Sequence, residues 1–192
     1  NLAMVEKVFA EKKPVYSNLF FGSAKKRLIV TVEVPVIRGN EVLYDISFSP
    51  PIEIFQAMVE QQRPSKDWTI SIFDGEGTNF ARVPNAEETV GKRASPSLYT
   101  QMFQNPEATV PTISLEGVPL ITSFARSSLT GWTVAAGVAE SSLVAPLWRN
   151  LAIASVIGTV LLLIGLAFAV RMATQIARGE MQPGLVQPDL DM

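Results

Sequence analysis

Few side chains in this sequence can do chemistry, and the missing types exclude as much as the present ones suggest. Among its 192 residues there is no histidine and no cysteine. That removes Ser-His-Asp and Cys-His catalysis, Cys/His zinc sites, disulfides and any phosphoaccepting histidine within the chain. Carboxylates and guanidinium groups remain. Asp74 and Glu76 flank Gly75 in the run DGEG, and paired carboxylates are one minimum for acid–base work. The glycines make this run a tight turn, exposed and solvated, in which aspartate supplies turn chemistry rather than catalysis. Residues 75–77 are also too short and wrongly placed for a nucleotide-cradling loop. No catalytic residue, metal-ligand set or cofactor is expected.

Asp45 stands apart. In the strand-like run 42–48, alternation places Leu43, Asp45 and Ser47 on one face and Val42, Tyr44, Ile46 and Phe48 on the other. A solvent-facing strand aspartate is the plainer account of it. Arg82 and Arg126 each follow an alanine on a strand. They either face a small pocket and hold a carboxylate or sit as surface or sheet-edge arginines. Lys25-Lys26-Arg27 reads as an anion site or, more simply, a solvated loop. The net charge of −2, from 16 basic and 18 acidic residues, excludes a nucleic-acid partner. With 47% hydrophobic and 18% charged residues the chain is not disordered.

The elements that must position these groups follow from periodicity. Residues 1–13 have helical spacing that Pro14 ends. Residues 28–37 (LIVTVEVPVI) and 42–48 form a hairpin around Arg38-Gly39-Asn40. Pro50-Pro51 precedes a helix that stops before Pro64. Then come strands over 68–73 and 79–83, a brief helix at Leu98, Met102 and Phe103, and strands over 112–115, 118–126 and 132–138. Trp68, Ile70, Ile72, Phe124, Trp132 and Val134 are the expected core. The expected fold class is α+β: one five-stranded antiparallel sheet with helices on one face. Residues 1–48 hold too few elements for a core of their own and read as the end of a second module.

One run is of another kind. Residues 150–170, NLAIASVIGTVLLLIGLAFAV, carry no charge and lie between Arg149 and Arg171. About 20 apolar residues cross a hydrocarbon core roughly 30 Å thick, so a membrane span is expected. Arg171 and Arg178 against Arg149 put the C-terminus in the cytoplasm, and Trp148 fits an interfacial anchor. A helix from near Glu140, with Pro146 as a kink, leads into it. The start, NLAMVEKVFAEKK, has no apolar stretch of export-signal length, so an upstream signal or first membrane helix is expected.

Three segments carry a resemblance: LIVTVEVPVIRGNEVLYDIS, WTISIFDGEGTNFARVPNAEETVGKRAS and SLEGVPLITSFARSSLTGWTVAAGVAESSL. They resemble the double Cache sensor region of bacterial transmembrane receptors, most of all that of sensor histidine kinases. The most specific parts are the spacing from Asp74-Gly75 to Gly91 and residues 127–138, ending Gly-Trp-Thr-Val. The resemblance implies a membrane-distal module ending in residues 1–48 and a PAS-like membrane-proximal module over 49–140. It also implies an exit helix over 141–149, a span over 150–170 and a short cytoplasmic tail over 171–192. Residues 1–149 would be periplasmic and the protein a homodimer in the bacterial inner membrane. In the amino-acid-sensing branch, an aspartate before isoleucine on this strand binds the ligand's amino group, and Asp45-Ile46 matches that step. Its tyrosine, arginine and tryptophan partners would fall before Asn1. Tyr16 and Phe20 would close the pocket wall, and the ligand would be a small polar molecule, an amine or amino acid.

Such receptors begin with a membrane helix and stalk helix and continue into an output module. Neither is present here, so a truncated or a degenerate receptor is expected, non-enzymatic in itself. A chemoreceptor or diguanylate cyclase sensor region is the close alternative. A membrane-anchored scaffold that binds no ligand is the distant one.

Overall fold

The computed structural model describes residues 2–23 and 26–179. Lys25 of the basic run, the tail beyond Gly179, and the side chains of Pro146 and Arg149 lie outside the described residues. One compact unit runs through Leu143 and a second starts at Val144.

Helix α1 (Leu2–Glu11) ends where Lys12 turns to a φ of 54°, ahead of Pro14, which has no N–H to continue the ladder. The two-residue strand β1 (Val15–Tyr16) follows. Next, β2 (Phe20–Gly22) pairs with β3 (Arg27–Ile29) as a separate two-stranded ladder. The hairpin of β4 (Val32–Arg38) and β5 (Glu41–Phe48) turns at Gly39, whose φ is 65°, a conformation open to glycine at no steric cost. In its register Glu33 lies opposite Ser47, Pro35 opposite Asp45 and Val34 opposite Ile46, as alternation requires. Strand β1 pairs with β4 to complete a three-stranded sheet. The expected strand over 28–37 is therefore two strands. At the break, the Thr31 N–H is taken by the Ser17 hydroxyl at 2.7 Å instead of by a neighbouring strand.

Helix α2 (Ile52–Gln61) starts after Pro51. Strands β6 (Trp68–Phe73) and β7 (Asn79–Val83) come next. The short α3 (Ala86–Thr89) and then α4 (Pro96–Gln104) precede β8 (Glu107–Ile113), β9 (Pro119–Arg126) and β10 (Thr133–Ala139). The five strands form one antiparallel sheet in the order β7-β6-β10-β9-β8. Strand β8 starts five residues earlier than residue 112. Its Pro111 hides the strand from sequence inspection, yet β8 is an edge, where a missing N–H costs no ladder bond.

The fold class is α+β with the expected five-stranded sheet, but helices cover both faces. Even-numbered Ile70 and Ile72 pack with Phe80, Val59 of α2 and the half-buried Phe55 and Trp132. Odd-numbered Phe73 packs with Phe124, Ala135 and Leu98 and Met102 of α4. Val134 is 49% exposed, against expectation. Trp132, just before β10, packs with Ala136 on the face of Ile70 and Ile72, while Ala135 packs on the face of Phe73.

Helix α5 (Glu140–Gly179) contains the apolar stretch 150–175, whose most apolar 18-residue window has a mean hydropathy of 2.6 and is not buried. That is long and apolar enough to cross a membrane.

Candidate functional site

Two concavities and one seam carry the polar groups of interest. The first concavity lies over the three-stranded sheet, has a volume of about 540 Å³, and is open. Strands β4 and β5 supply its floor, with Glu33, Asp45 and Ser47 projecting from the same face. Phe20 and Phe21 of β2 and Val5 of α1 supply walls. Glu33 is 3% exposed. Its Oε1 accepts a hydrogen bond from the Ser47 hydroxyl at 3.0 Å. Its Oε2 and the Oδ1 of Asp45 are both inaccessible and have no hydrogen-bond partner. An unpaired buried charge is costly, and the Glu33 carboxyl responds. Desolvation raises its pKa above the ordinary glutamate range; the Ser47 and Thr31 hydroxyls oppose this, and the neighbouring Asp45 raises it further, by its charge and by accepting a proton held on Glu33.

Sequence inspection passed over Glu33. Its signal is a lone carboxylate amid the β-branched run LIVTVEVPVI. Asp45 and Phe20 both line this concavity. Tyr16 does not. It is not among the residues lining the space, and its ring packs edge-on to Trp132, 6.2 Å between centroids.

The second concavity lies in the five-stranded sheet region and holds about 20 Å³, room for one water. Arg82, 4% exposed, borders it. The Arg82 Nη2 donates to both carboxylate oxygens of Glu116, at 2.9 and 2.7 Å. Glu116 sits in the turn between β8 and β9, and Asn85 adds a bond to it at 3.4 Å. Desolvation lowers the Arg82 pKa against the raising influence of Glu116. For Glu116, burial raises the carboxyl pKa, but Ser114, the residue's own backbone, the Arg82 charge and Asn85 together outweigh it and hold it low. So Arg82 does hold a carboxylate, one that belongs to the chain. Arg126 lines neither concavity. Its Nη2 donates to the Met102 carbonyl at 2.6 Å and its guanidinium lies 4.6 Å from the Phe103 ring centroid.

The seam joins the two sheets. Asp74, expected to be solvated, is 2% exposed. Its Oδ1 accepts from the Glu76 and Thr78 N–H groups, at 3.0 and 2.8 Å, which is the expected turn chemistry. Its Oδ2 is withdrawn from water by the Leu19 N–H, 2.8 Å away and 55 residues upstream. Gly75 N–H donates to Asn18 Oδ1 at 3.1 Å, and a Cβ at Gly75 would meet that oxygen at 2.9 Å. Trp132 Nε1 donates to the Ser17 carbonyl at 3.1 Å. Residues 17–19, directly before the pocket wall of Phe20, are thus bonded to the ends of β6 and β10 in the five-stranded sheet.

No family model and no curated protein matches the chain. Solved structures match its fold. The extracellular domain of mmHK1S-Z3, a protein designated a histidine kinase, aligns with a TM-score of 0.63 at 12% identity, over 75% of this chain and 55% of that one. The ligand-binding domain of Mlp24 with asparagine gives 0.51 at 22%, over 71% and 55%. The ligand-binding domain of the Campylobacter jejuni chemoreceptor Tlp3 in complex with L-norvaline gives 0.52 at 12%, over 71% and 51%. The chain spans little more than half the length of these relatives. The fold is that of extracytoplasmic sensor domains.

Proposed function

We propose that this chain is the extracytoplasmic ligand-sensing and signal-transmitting segment of a bacterial two-component receptor, a membrane-anchored sensor and not an enzyme. The observation that carries the proposal is the open 540 Å³ concavity with Asp45 in its floor, bonded through residues 17–19 to the ends of β6 and β10 in a second sheet. The volume suits a small molecule. The Asp45 carboxylate would hold a protonated amino group by charge-assisted hydrogen bonds. The ligand is an amine or amino acid, in keeping with the asparagine and norvaline bound by fold relatives.

Residues 1–48 act as the end of the membrane-distal module and 49–140 as the proximal one. Residues before Arg149 are periplasmic, and those after Arg171 cytoplasmic. The homodimer in the inner membrane rests on the family resemblance. Ligand capture shifts the β2 wall and, through Leu19 and Asp74, the end of β6. Strand β6 is paired along β10, which leads directly into α5, so a small shift can bias a helix movement.

The test is calorimetric titration of the full chain in nanodiscs with a panel of amines and amino acids, wild type against Asp45→Ala. The expected loss is about 2–4 kcal/mol of binding, with the fold retained. Equal affinity in both proteins, for any ligand found, removes Asp45 from the site.

A further inference from the structure

The tip of the β8–β9 hairpin, residues 113–118 (ISLEGV), presents apolar side chains to solvent. Ile113, Leu115 and Val118 are 55%, 37% and 43% exposed. The polar groups of the tip turn inward. Ser114 accepts the N–H groups of Glu116 and Val118 on its hydroxyl, at 3.2 Å each, and that of Gly117 on its carbonyl, at 3.1 Å. Glu116, the one charged residue in the run, is folded back onto the buried Arg82 at 2.7 Å. A turn with its N–H groups satisfied internally and its charge paired loses little on leaving water. Its bare apolar side chains gain by doing so.

The tip also stands at one particular end of the sheet. Ala139, the last residue of β10, lies opposite Leu120, and the tip directly precedes β9. Because β9 and β10 are antiparallel, the tip projects past Leu120 in the direction in which β10 runs out. Strand β10 passes straight into α5, which reaches its apolar stretch at Asn150. From Ala139 to Asn150 is about 16 Å of helix at a rise of about 1.5 Å per residue. The tip extends roughly 10 Å past Leu120 at about 3.3 Å per residue. The interfacial layer of a bilayer is roughly 5–7 Å deep on each side. Tip and interfacial layer together match the length of helix before the span.

We propose that the β8–β9 tip is a lipid-contacting element that seats Leu115 and Val118 in the interfacial layer of the bilayer that α5 crosses. Charge does not drive the contact. At the same end of the sheet Arg63 and Lys66 are matched by Asp67 and Glu140, so zwitterionic lipid suffices. Strand β9 pairs along the whole of β10, so a seated tip steadies the strand from which α5 departs.

The inference rests on residues 150–175 crossing a bilayer, and the experiment separates the two. The chain has no cysteine, so single-cysteine variants carry one environment-sensitive fluorophore each. The positions are Leu115→Cys, Val118→Cys, Leu162→Cys in the span, and Leu129→Cys, an exposed leucine in the β9–β10 turn at the opposite end of the sheet. Each full chain sits in nanodiscs of phosphatidylcholine, alone or mixed with phosphatidylglycerol, and its folding is checked by circular dichroism. Lipid-attached nitroxides, placed near the headgroup or deep in the acyl chain, are the quenchers. Labels at 115 and 118 should emit to the blue of the label at 129 and be quenched by the shallow nitroxide in both lipids. The label at 162 should be quenched by the deep one. If 115 and 118 behave as 129 does while 162 is quenched, the span stands and the lipid contact falls. If 162 is not quenched, anchor and contact fall together. Blue-shifted but unquenched labels at 115 and 118 lie against protein, a second copy included, and overturn the lipid assignment. Quenching that requires phosphatidylglycerol overturns apolar seating in favour of charge.

Discussion

The two concavities differ in how their charges are settled. Beside the five-stranded sheet, the buried Arg82 meets the chain's own Glu116 with two contacts under 3 Å, and the space left is about 20 Å³. Over the three-stranded sheet, Glu33 and Asp45 lie in a space of about 540 Å³ and each keeps an oxygen without a partner. One region has supplied its own counter-ion and closed; the other has not. Burying charge is tolerated only when it is paired. An internally paired pocket is therefore a structural unit, and an unpaired one stores an unfavourable interaction that a ligand can relieve. The same chain shows both solutions within a single compact unit.

The largest test of this contrast acts on what the two regions share. Trp132 packs edge-to-face on Phe55, Phe80 and Tyr16, with centroids 5.7, 4.9 and 6.2 Å away, and bonds Ser17 besides. Trp132→Ala should destabilise the full chain by about 3–5 kcal/mol, measured by urea denaturation followed by circular dichroism. A loss under about 1 kcal/mol would mean that the indole does not tie the two sheets together.

A middle-sized effect belongs to the closed pocket. Glu116→Gln leaves the buried Arg82 charge with a weaker partner and should cost about 1–3 kcal/mol near neutral pH, less than for a fully buried pair because Glu116 is 31% exposed. Since the folded Glu116 carboxyl is held below its ordinary value, its stabilisation is complete above the ordinary glutamate range. It disappears as pH falls through the lowered pKa. The difference between wild type and variant should therefore shrink toward acid. A constant difference would show that the charge is not what holds this turn. Arg82→Met with Glu116→Leu, which removes both charges, should come close to wild-type stability.

How far the sequence discloses these regions depends on the range of the interactions. Elements with a clear period, such as the hairpin, β6, β7 and α2, are legible because their neighbours in sequence are their partners in space. The strands β1, β2 and β3 are two or three residues long and too short to carry a period. Asp74 is legible as a turn residue, since two of its three bonds are local. Its burial is not, because the third partner is Leu19. Arg82 invites a carboxylate from outside until the fold brings Glu116 to it, 34 positions along the chain. Asp45 could be placed on a face by alternation. The same rule places Glu33, a lone charge inside an apolar strand, on the face of Asp45.

The smallest effect has the opposite sign, and it sharpens the contrast most. Glu33→Gln keeps the oxygen that accepts from Ser47 and replaces Oε2 with an N–H₂ that can donate to the orphaned Oδ1 of Asp45. Desolvation, helped by the Asp45 charge, raises the folded Glu33 pKa above its unfolded value. Between those two values the folded state keeps a proton that the unfolded state has released, so wild-type stability falls as pH rises through that window. Glutamine has nothing to release. Near neutral pH the variant should be more stable than wild type by about 1 kcal/mol, the size of one buried hydrogen bond gained. Toward acid the advantage should vanish, because a protonated Glu33 is itself a donor. Paired denaturation curves of the two chains at several pH values measure this. Two Glu→Gln substitutions in one protein, Glu116 losing stability and Glu33 gaining it, would separate a charge kept for the fold from one kept at the fold's expense. If Glu33→Gln instead destabilises the chain at neutral pH, Glu33 serves the structure as Glu116 does, and the open pocket loses its claim to stored charge.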